Sequence, residues 1–432
     1  MALYETTQMD TKSFQALADY DVPSWVGSLR DPAKEAYLKG GWPTRKDEDW
    51  RYTSLRGMKE IDFNWSHTKG LISKPEIEEY LIKGTLPIVM VDGVYDSTQS
   101  FKNVLPEGVT IKSLKSAWQD HKSEIKSLLS QASAEHAFTQ LNKAFLLNGI
   151  YIDIKKGVEL EKPIHILFIN TKKPKPFSLF PRVIMNMGAS AKASVYTSYE
   201  HQGEGTYFHS GACDFLVGQN AFLTNYTAQK ASPHAFHYEQ TNVAIERDGR
   251  YSAFNLALGG KLCRQELHVR LLGEGANARL DGVYLAKDKA QIDNYSVIEH
   301  VAPHCESHQF YKGILTDEGR GVFSGKVAVH QDAQKTNAFQ MNKNLLLSNS
   351  AEIDTKPQLL IDADDVKCSH GATVGQLKED ELFYLQSRGI DKKSARSMLS
   401  KAFVTEILFA IEDKVYQKEA LKALDGWIGE SI

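Results

Sequence analysis

The sequence predicts a mainly β protein, a β-solenoid with α-helical segments before and after it. Short apolar runs separated by turn residues follow one another from residue 151 to about residue 323. Turn signals begin at Gly188, Gly218 and Asp248, which are 30 residues apart. A fixed period of this size in short strands is typical of a solenoid, in which each coil buries its inward side chains against the neighbouring coils.

Three segments are expected along the chain. Residues 1–85 have weak helical periodicity and form an N-terminal helical region. Residues 86–375 form the solenoid core, which starts with a strand signal at Leu86–Tyr95 and contains a helical insertion at about 115–148. Residues 376–432 have apolar residues three and four apart and form a C-terminal helical domain.

The composition is that of an ordinary globular protein, with 42% hydrophobic and 24% charged residues. A net charge of -3 provides no general attraction to nucleic acid or to anionic membranes. The first ten residues lack the apolar core of a secretory signal, and no apolar run approaches the ~18 residues that span a bilayer. We therefore expect a cytoplasmic protein without a nucleic-acid or membrane partner.

The four cysteines are far apart, and none belongs to a Cys-x-x-Cys pair. This spacing argues against a disulfide framework and against a self-contained zinc or ferredoxin site. A reducing compartment fits best. For Cys213 and Cys263 we expect the ordinary role of a small buried apolar residue.

A Cys-x-His pair, Cys368 and His370, lies where the predicted strands give way to the helical tail. Side chains two apart on a strand point to the same face, so a thiolate and an imidazole would stand side by side. Such a pair suits a soft metal such as iron or zinc, but it supplies only two of about four ligands. The remaining ligands must come from elsewhere.

The Cys368–His370 strand is at the late end of the predicted stack, and the end of a solenoid exposes an unpaired strand edge. This strand is therefore a candidate for pairing with a second chain. The helical tail that follows has apolar residues on two faces, one of them including Met398 and Phe403 and the other Leu408. One face is expected to dock on the body and the other to meet a partner, although packing of both faces on the body is an alternative.

A second polar cluster contains His300, His304, Cys305 and His308. These residue types ligate zinc or iron, so a metal-dependent enzyme built on them is the alternative function. Pro303 argues against a helical His-x-x-x-His arrangement. Histidines stacked along the coils and hydrogen-bonded to neighbouring strands are the structural interpretation of the same residues.

Other catalytic classes find little support. Asp362, Asp364 and Asp365 invite comparison with solenoid polysaccharide lyases and hydrolases, which use clustered carboxylates on a strand face, but such enzymes are usually secreted. The chain has neither a Gly-x-Ser-x-Gly elbow nor a Gly-x-x-x-x-Gly-Lys-Ser/Thr loop. We therefore expect no serine-hydrolase chemistry and no nucleotide hydrolysis by this chain.

Several multi-residue motifs resemble those of the SufB/SufD family of iron–sulfur cluster assembly proteins. They occur in order along nearly the whole chain, at Pro43–Thr53, Leu141–Phe145 with Lys162–Ile164, His304–Ile314, Asp364–Gly375 and Leu382–Ile390. Within the family, the Cys-Ser-His form at residues 368–370 and the overall length resemble SufD rather than SufB, which is longer and richer in cysteine.

The resemblance implies a right-handed parallel β-helix flanked by helices, in a complex of one SufB, one SufD and two copies of the ATPase SufC. It implies that a nascent iron–sulfur cluster forms transiently at the SufB–SufD interface, with a SufB cysteine and the residue matching His370 as ligands and Cys368 as an auxiliary thiol. It also implies that the C-terminal helices dock SufC. Our candidate contacts are Phe383, Tyr384, Met398, Phe403 and Leu408.

Three hypotheses follow. The first is a non-catalytic scaffold subunit whose ligand pair is completed by SufB, with a possible role in iron entry and a possible homodimer when the chain is isolated. The second is the metal-dependent enzyme of the His300–His308 cluster. The third is a purely structural partner, in which Cys368 and His370 only pack.

Overall fold

Short strands that alternate between two facing sheets form the body of the molecule. The computed structural model describes residues 13–17, 20–101, 105–130 and 136–431. Among the described residues, the first sheet has eleven strands and the second has ten. The predicted class, a β-solenoid with flanking helices, is confirmed, and the stack has about eight turns.

The strands of the first sheet are β1 Asn64–Trp65, β4 Val109–Ser113, β5 Gly149–Ile154, β7 Phe177–Leu179, β8 Arg182–Met187, β10 Tyr207–Val217, β12 Phe236–Ile245, β14 Leu262–Leu271, β16 Gln291–His300, β18 Arg320–Val329 and β20 Glu352–Ile361. Those of the second are β2 Leu86–Val91, β3 Val94–Tyr95, β6 Ile164–Asn170, β9 Lys192–His201, β11 Phe222–Gln229, β13 Arg250–Ala257, β15 Asn277–Ala286, β17 Glu306–Leu315, β19 Asn337–Leu346 and β21 Lys367–Gly375. The order across the first sheet is β20-β18-β16-β14-β12-β10-β8-β5-β4, with β7 beside β10 and β1 beside β7. The order across the second is β21-β19-β17-β15-β13-β11-β9-β6-β2-β3.

The helices precede, interrupt and follow the strands. They are α1 Ser24–Gly40, α2 Arg56–Lys59, α3 Lys74–Tyr80, α4 Leu114–Asp120, α5 Lys122–Ser130, α6 Ala137–Ala144, α7 Glu379–Ser387, α8 Lys392–Phe409 and α9 Lys414–Ser431, with a 3-10 helix at Glu48–Trp50. Residues 13–17 are helical as well. The insertion predicted at about 115–148 therefore corresponds to α4, α5 and α6.

From β8 onward, one coil of the solenoid takes 26 to 32 residues. The shortest coil separates the register partners Phe236 and Leu262, and the longest separates Arg320 and Glu352. All pairings between successive coils are parallel. The 30-residue spacing of the turn signals in the sequence is therefore the length of one coil.

The turns from the first sheet to the second form a column along one edge of the solenoid. From the turn between β8 and β9 to the turn between β18 and β19, each has one residue in the left-handed region, and these residues are Ser190, Asn220, Asp248, Gly275, His304 and Lys335. Their backbone N–H groups donate to the turn of the next coil, as from Asn220 to the Arg247 carbonyl at 3.0 Å. Asparagine, aspartate and glycine tolerate this conformation best, which explains the turn signals in the sequence.

The helices cover the outer faces of the two sheets. N-terminal helices and α6 pack aromatic residues on the outside of the first sheet, where Phe138 and Trp42 contact Phe208. Helices α8 and α9 pack on the outside of the second sheet, where Leu408 and Tyr416 join Leu256 in one buried cluster. The inward faces of both sheets form a separate apolar cluster inside the solenoid.

The charged segment Pro43–Thr53 is anchored on the first sheet by an aromatic side chain. Trp50 is buried, and the Arg264 guanidinium lies 4.0 Å from its ring centre. Arg264 is itself buried and paired with two carboxylates, those of Glu266 and Asp293. Tyr52 is only half-buried, so Trp50 is the main anchor of this segment on the first sheet.

Candidate functional site

The last coil of the solenoid has two open strand edges. Among the described residues, β20 pairs only with β18 and β21 only with β19. Apolar side chains are exposed on this coil, with Leu360 51% and Val374 50% exposed. Unpaired edges of ten and nine residues with exposed apolar side chains promote pairing with another chain.

Cys368 and His370 lie on β21, on the side that faces the interior of the solenoid. Their register partners on β19 are Ala338 and Gln340, both of which are buried inside the stack. Cys368 packs partly against the interior apolar cluster, and His370 is exposed at the open end. The strand geometry thus places both side chains on one face, as their spacing predicts.

The two side chains do not make a complete metal site by themselves. Among the residues that the structure describes, the Cys368 and His370 pair does not belong to a group of three histidine, cysteine or carboxylate side chains close enough to hold an ion. Burial raises the pKa of the Cys368 thiol above its ordinary value, so the thiolate needs a bound metal or a nearby positive charge to form. Any ion held here requires ligands from a second molecule.

The three aspartates beside this strand occupy a turn. Asp362, Asp364 and Asp365 connect β20 to β21, and the carboxylate of Asp365 forms an ion pair with Lys335. Carboxylates in a turn at the solenoid edge do not form the strand-face cluster that a polysaccharide lyase or hydrolase uses. The structure therefore does not support that interpretation.

The cluster proposed for a metal-dependent enzyme is not assembled. His300 is buried inside the solenoid, where its Nε2 lies 2.8 Å from the Ser307 hydroxyl. Burial lowers the pKa of His300 to about 4. The Cys305 thiol is also inside and donates to the Gly273 carbonyl at 3.3 Å.

The other two members of that cluster point elsewhere. His304 is exposed in the turn column, in the left-handed conformation. His308 lies on β17, half-buried, with its ring stacked on Phe339 at 4.9 Å. The four side chains thus have four different environments, and the prediction of a shared metal site is wrong. Strand alternation and the turn before Cys305 separate side chains that are close in sequence.

The candidate partner-binding residues of the tail divide into two groups. Phe383, Tyr384 and Met398 are exposed, with Phe383 73% exposed. Phe403 is half-buried beside Lys312, and Leu408 is completely buried against the second sheet. The prediction that Leu408 contacts a partner is therefore wrong, because this residue is on the face of α8 that docks on the body.

One cluster of ligand-type side chains was not predicted. In the described part of the chain, His209, His237 and Glu239 form the one group of three such residues within reach of a single ion. They are buried inside the solenoid on β10 and β12. The two histidines are 28 residues apart, which is the length of one coil. This spacing predicts their contact only when the strand register is known.

Two family models together match most of the chain. Residues 168–403 match the SufBD core domain of the SUF system for iron–sulfur cluster assembly, and residues 11–166 match the SufBD protein N-terminal region. The core-domain match alone includes the whole solenoid from β8 to β21, with Cys368 and His370. The chain belongs to the SufBD family.

Relatives of similar length support this assignment. The iron–sulfur cluster assembly protein SufD of Escherichia coli is 30% identical over 91% of this chain and 92% of its own length. An iron–sulfur cluster assembly SufBD family protein of Synechocystis is 33% identical over 85% of this chain and 83% of its own. The chain is therefore a SufD-like member of a family that assembles iron–sulfur clusters. None of the helices in the described ranges combines the length and the apolarity needed to cross a membrane.

Proposed function

We propose that this SufBD chain is a non-catalytic scaffold subunit that pairs with a SufB-type chain through β20 and β21. The nascent iron–sulfur cluster is the cargo of the complex and forms at that junction. His370 is a ligand of the cluster or of its iron, and Cys368 is an auxiliary thiol. In this role, nucleotide hydrolysis is left to a SufC-type ATPase.

The observation that carries the proposal is an incomplete ligand pair at an open solenoid end. His370 is exposed and Cys368 is half-buried on the inward side of the last strand. A second solenoid that extends the stack would cover both side chains and bring its own ligands to them. The site would then exist only in the assembled pair, which suits a cluster that must later be released.

Iron entry is a further role of the same end in this proposal. Three aspartates, Asp362, Asp364 and Asp365, lie in the turn that leads into the ligand strand. Hydrated Fe²⁺ is attracted to such carboxylates, and the imidazole and thiol beyond them are softer ligands to which iron can pass. In the isolated chain, the same open edge is expected to pair with a second copy and give a homodimer.

The ATPase docks on the exposed side of the C-terminal helices in this proposal. Phe383 and Tyr384 project from α7 and Met398 from α8, and all three are more than half exposed. Helix α8 is fixed to the body from its other side, where Lys312 binds the Glu406 carboxylate at 2.7 Å. A movement imposed on these helices by ATP-driven dimerisation of SufC would therefore be transmitted to the last coils.

The test is anaerobic co-expression of this chain with SufB-type and SufC-type partners. Wild type is compared with His370→Ala, Cys368→Ala and the control Ser369→Ala, which changes the residue between them on the opposite face of the strand. Each purified complex is assayed for subunit ratio, iron, acid-labile sulfide and visible absorbance. The proposal predicts an intact complex without cluster in His370→Ala, a smaller loss in Cys368→Ala and no change in Ser369→Ala.

Unchanged sulfide and absorbance in His370→Ala and in Cys368→Ala would leave this chain as a purely structural partner. Failure of the wild-type chain to join the complex at all would contradict the proposal more broadly.

A further inference from the structure

We propose that the interior of the solenoid contains a second metal site, in which His209, His237 and Glu239 hold one zinc or ferrous ion with Cys213 as a fourth donor. This site is independent of the cluster-binding end. It consists of side chains of this chain alone, and it would hold a resident ion rather than cargo.

Strand register brings the donors together. His209 and His237 are register partners on β10 and β12, and their ring centres are 4.7 Å apart. Glu239 follows His237 by two residues and therefore lies on the same inward face. The candidate ligand atoms of the two histidines and Glu239 all lie within 4.8 Å of one another.

Three of the four donors converge on a common space beside Gly211, and the Cys213 thiol would have to move toward it to bind the same ion. His209 Nε2 lies 3.0 Å from Glu239 Oε2, and the Cys213 thiol lies 3.2 Å from the other carboxylate oxygen. Gly211 is the register partner of Glu239, and a Cβ there would collide with the carboxylate and lie 2.6 Å from His209 Nε2. Glycine at this position thus leaves open the space that the ligands share.

Two buried nitrogen atoms in the cluster are unsatisfied. Within the described residues, neither His209 Nδ1 nor His237 Nε2 has a hydrogen-bond partner, although both side chains are almost completely buried. Because His209 faces Glu239 through Nε2, only the unsatisfied His237 Nε2 can gain a partner from an ion held between the three side chains. An unsatisfied buried polar atom typically costs about 1–3 kcal/mol of stability. A cavity of about 20 Å³ adjoins the cluster and is lined by Glu239 and Cys213 but by neither histidine. It has room for one water molecule or for the displacement of the carboxylate and thiol on binding.

The electrostatic state of these groups is suited to an ion. Burial lowers the pKa of His209 to about 3 and that of His237 well below its ordinary value, so both imidazoles are neutral and can ligate. Burial raises the pKa of Glu239 to about 7 and that of Cys213 well above its ordinary value. A divalent ion would displace the carboxyl and thiol protons to solvent, and the resulting site would be electrically neutral.

The chemistry of the donors selects the class of metal. Two imidazoles, one carboxylate and one thiolate form a set that zinc and ferrous ions accept, whereas magnesium and calcium prefer oxygen ligands only. Four strand spacings of about 4.8 Å separate β12 from β20. The internal site is therefore roughly 19 Å from the last coil and does not share ligands with Cys368 or His370.

The test uses the full-length chain with the end pair removed by Cys368→Ser and His370→Asn. Because the internal site is closed to solvent, the protein is expressed in cobalt-supplemented medium so that the ion can enter during folding. The parent variant should retain about one Co²⁺ per chain after dialysis against a chelator. Its spectrum should have the intense visible bands of tetrahedral cobalt and a sulfur-to-cobalt charge-transfer band.

Three substitutions in that background locate the ion. His237→Asn and Glu239→Gln should reduce cobalt affinity by more than about 100-fold, since even residues that only support a ligand contribute roughly 10–100-fold. The control His165→Asn alters another buried histidine of the solenoid, one bonded to Ser198, and should change neither the stoichiometry nor the spectrum. Cys213→Ser should retain the ion and lose the charge-transfer band.

Absence of bound cobalt in the parent would overturn the proposal and leave a water-filled hydrogen-bond network inside the solenoid. Retention of the same spectrum in Cys213→Ser together with full binding in Glu239→Gln would overturn it as well. Circular dichroism shows whether His237→Asn folds. If it does not fold, the cobalt content of the parent variant and the spectrum of Cys213→Ser still show whether the internal site binds an ion.

Discussion

Gln340 and His370 are register partners across the last pair of strands in the second sheet. The amide of Gln340 is fully buried and donates to Gln309 of the preceding coil at 2.7 Å. His370 extends this inward column by one position, to where the stack ends, and no further coil in the described part of the chain covers it. The candidate ligand His370 therefore occupies an interior position of the solenoid that is exposed to solvent because it lies in the last coil.

The exposed edge of the last coil should govern pairing. Val374→Asp places a charge on the open strand, and we expect it to weaken association with the SufB-type partner by more than about 10-fold, because a desolvated unpaired charge costs several kcal/mol. The free energy of unfolding of the isolated chain should change by less than about 0.5 kcal/mol, since the residue is exposed. Leu71→Asp, at an exposed leucine of the N-terminal region, is the control for both measurements.

The exposed aromatic of α7 should matter for the ATPase. Phe383→Ala is expected to weaken binding of a SufC-type partner by roughly 30-fold, which corresponds to the ~2 kcal/mol of an interface hot spot. Titration calorimetry with the purified ATPase measures this affinity. An unchanged affinity would mean that the ATPase binds elsewhere. The control is Leu71→Ala, at an exposed leucine, which should not change the affinity.

Leu408 and Met398 should behave oppositely, although both are apolar residues of α8. Leu408→Ala removes a side chain buried against the second sheet and should reduce the free energy of unfolding by about 2–5 kcal/mol. Met398→Ala affects an exposed side chain and should change it by less than about 0.5 kcal/mol. Urea titrations of both variants test the orientation of α8, which would be contradicted if Met398→Ala were the more destabilising of the two.

Buried neutral histidines should make the protein sensitive to acid. His165 accepts from the Ile82 N–H through Nδ1, and burial lowers the pKa of His165 to about 3. Below the ordinary pKa of about 6.5, the unfolded chain binds a proton that the folded chain does not, so stability falls as the pH falls from 6.5 toward 3. Unfolding titrations at pH 7 and pH 5 should show that the free energy of unfolding decreases less in His165→Asn than in wild type.

Much of the architecture could be predicted from the sequence. The turn signals at Gly188, Gly218 and Asp248 reflect real structural constraints. Asp248 is in the left-handed region, and a Cβ at Gly188 or Gly218 would lie 2.5 Å from a backbone atom of the preceding coil. Several strands gave no signal because their inward positions are polar. β16 and β19, for example, place Asn294 and Gln340 inside, which removes the alternation of apolar and polar residues that marks a strand.

The ligand pair was easier to predict than the internal cluster. Cys368 and His370 are two residues apart on one strand, so their common face follows from local geometry. His209 and Glu239 are separated by a full coil and meet only through the register of β10 and β12. Sequence distance also misled the prediction at His300 and His304. They are four residues apart, but His300 ends β16 and His304 lies in the turn that follows, so their side chains do not meet.

Amide hydrogen exchange of the chain, alone as a monomer and in complex with the SufB-type partner, tests the central claim most directly. The account predicts that peptides covering β20 and β21 exchange markedly more slowly in the complex, because their free backbone groups gain partners. Peptides from α1, whose Trp25 and Val26 pack with Tyr151 and Ile184 of the early coils, should be unchanged. Protection confined to α1, with β20 and β21 exchanging as in the free chain, would contradict it.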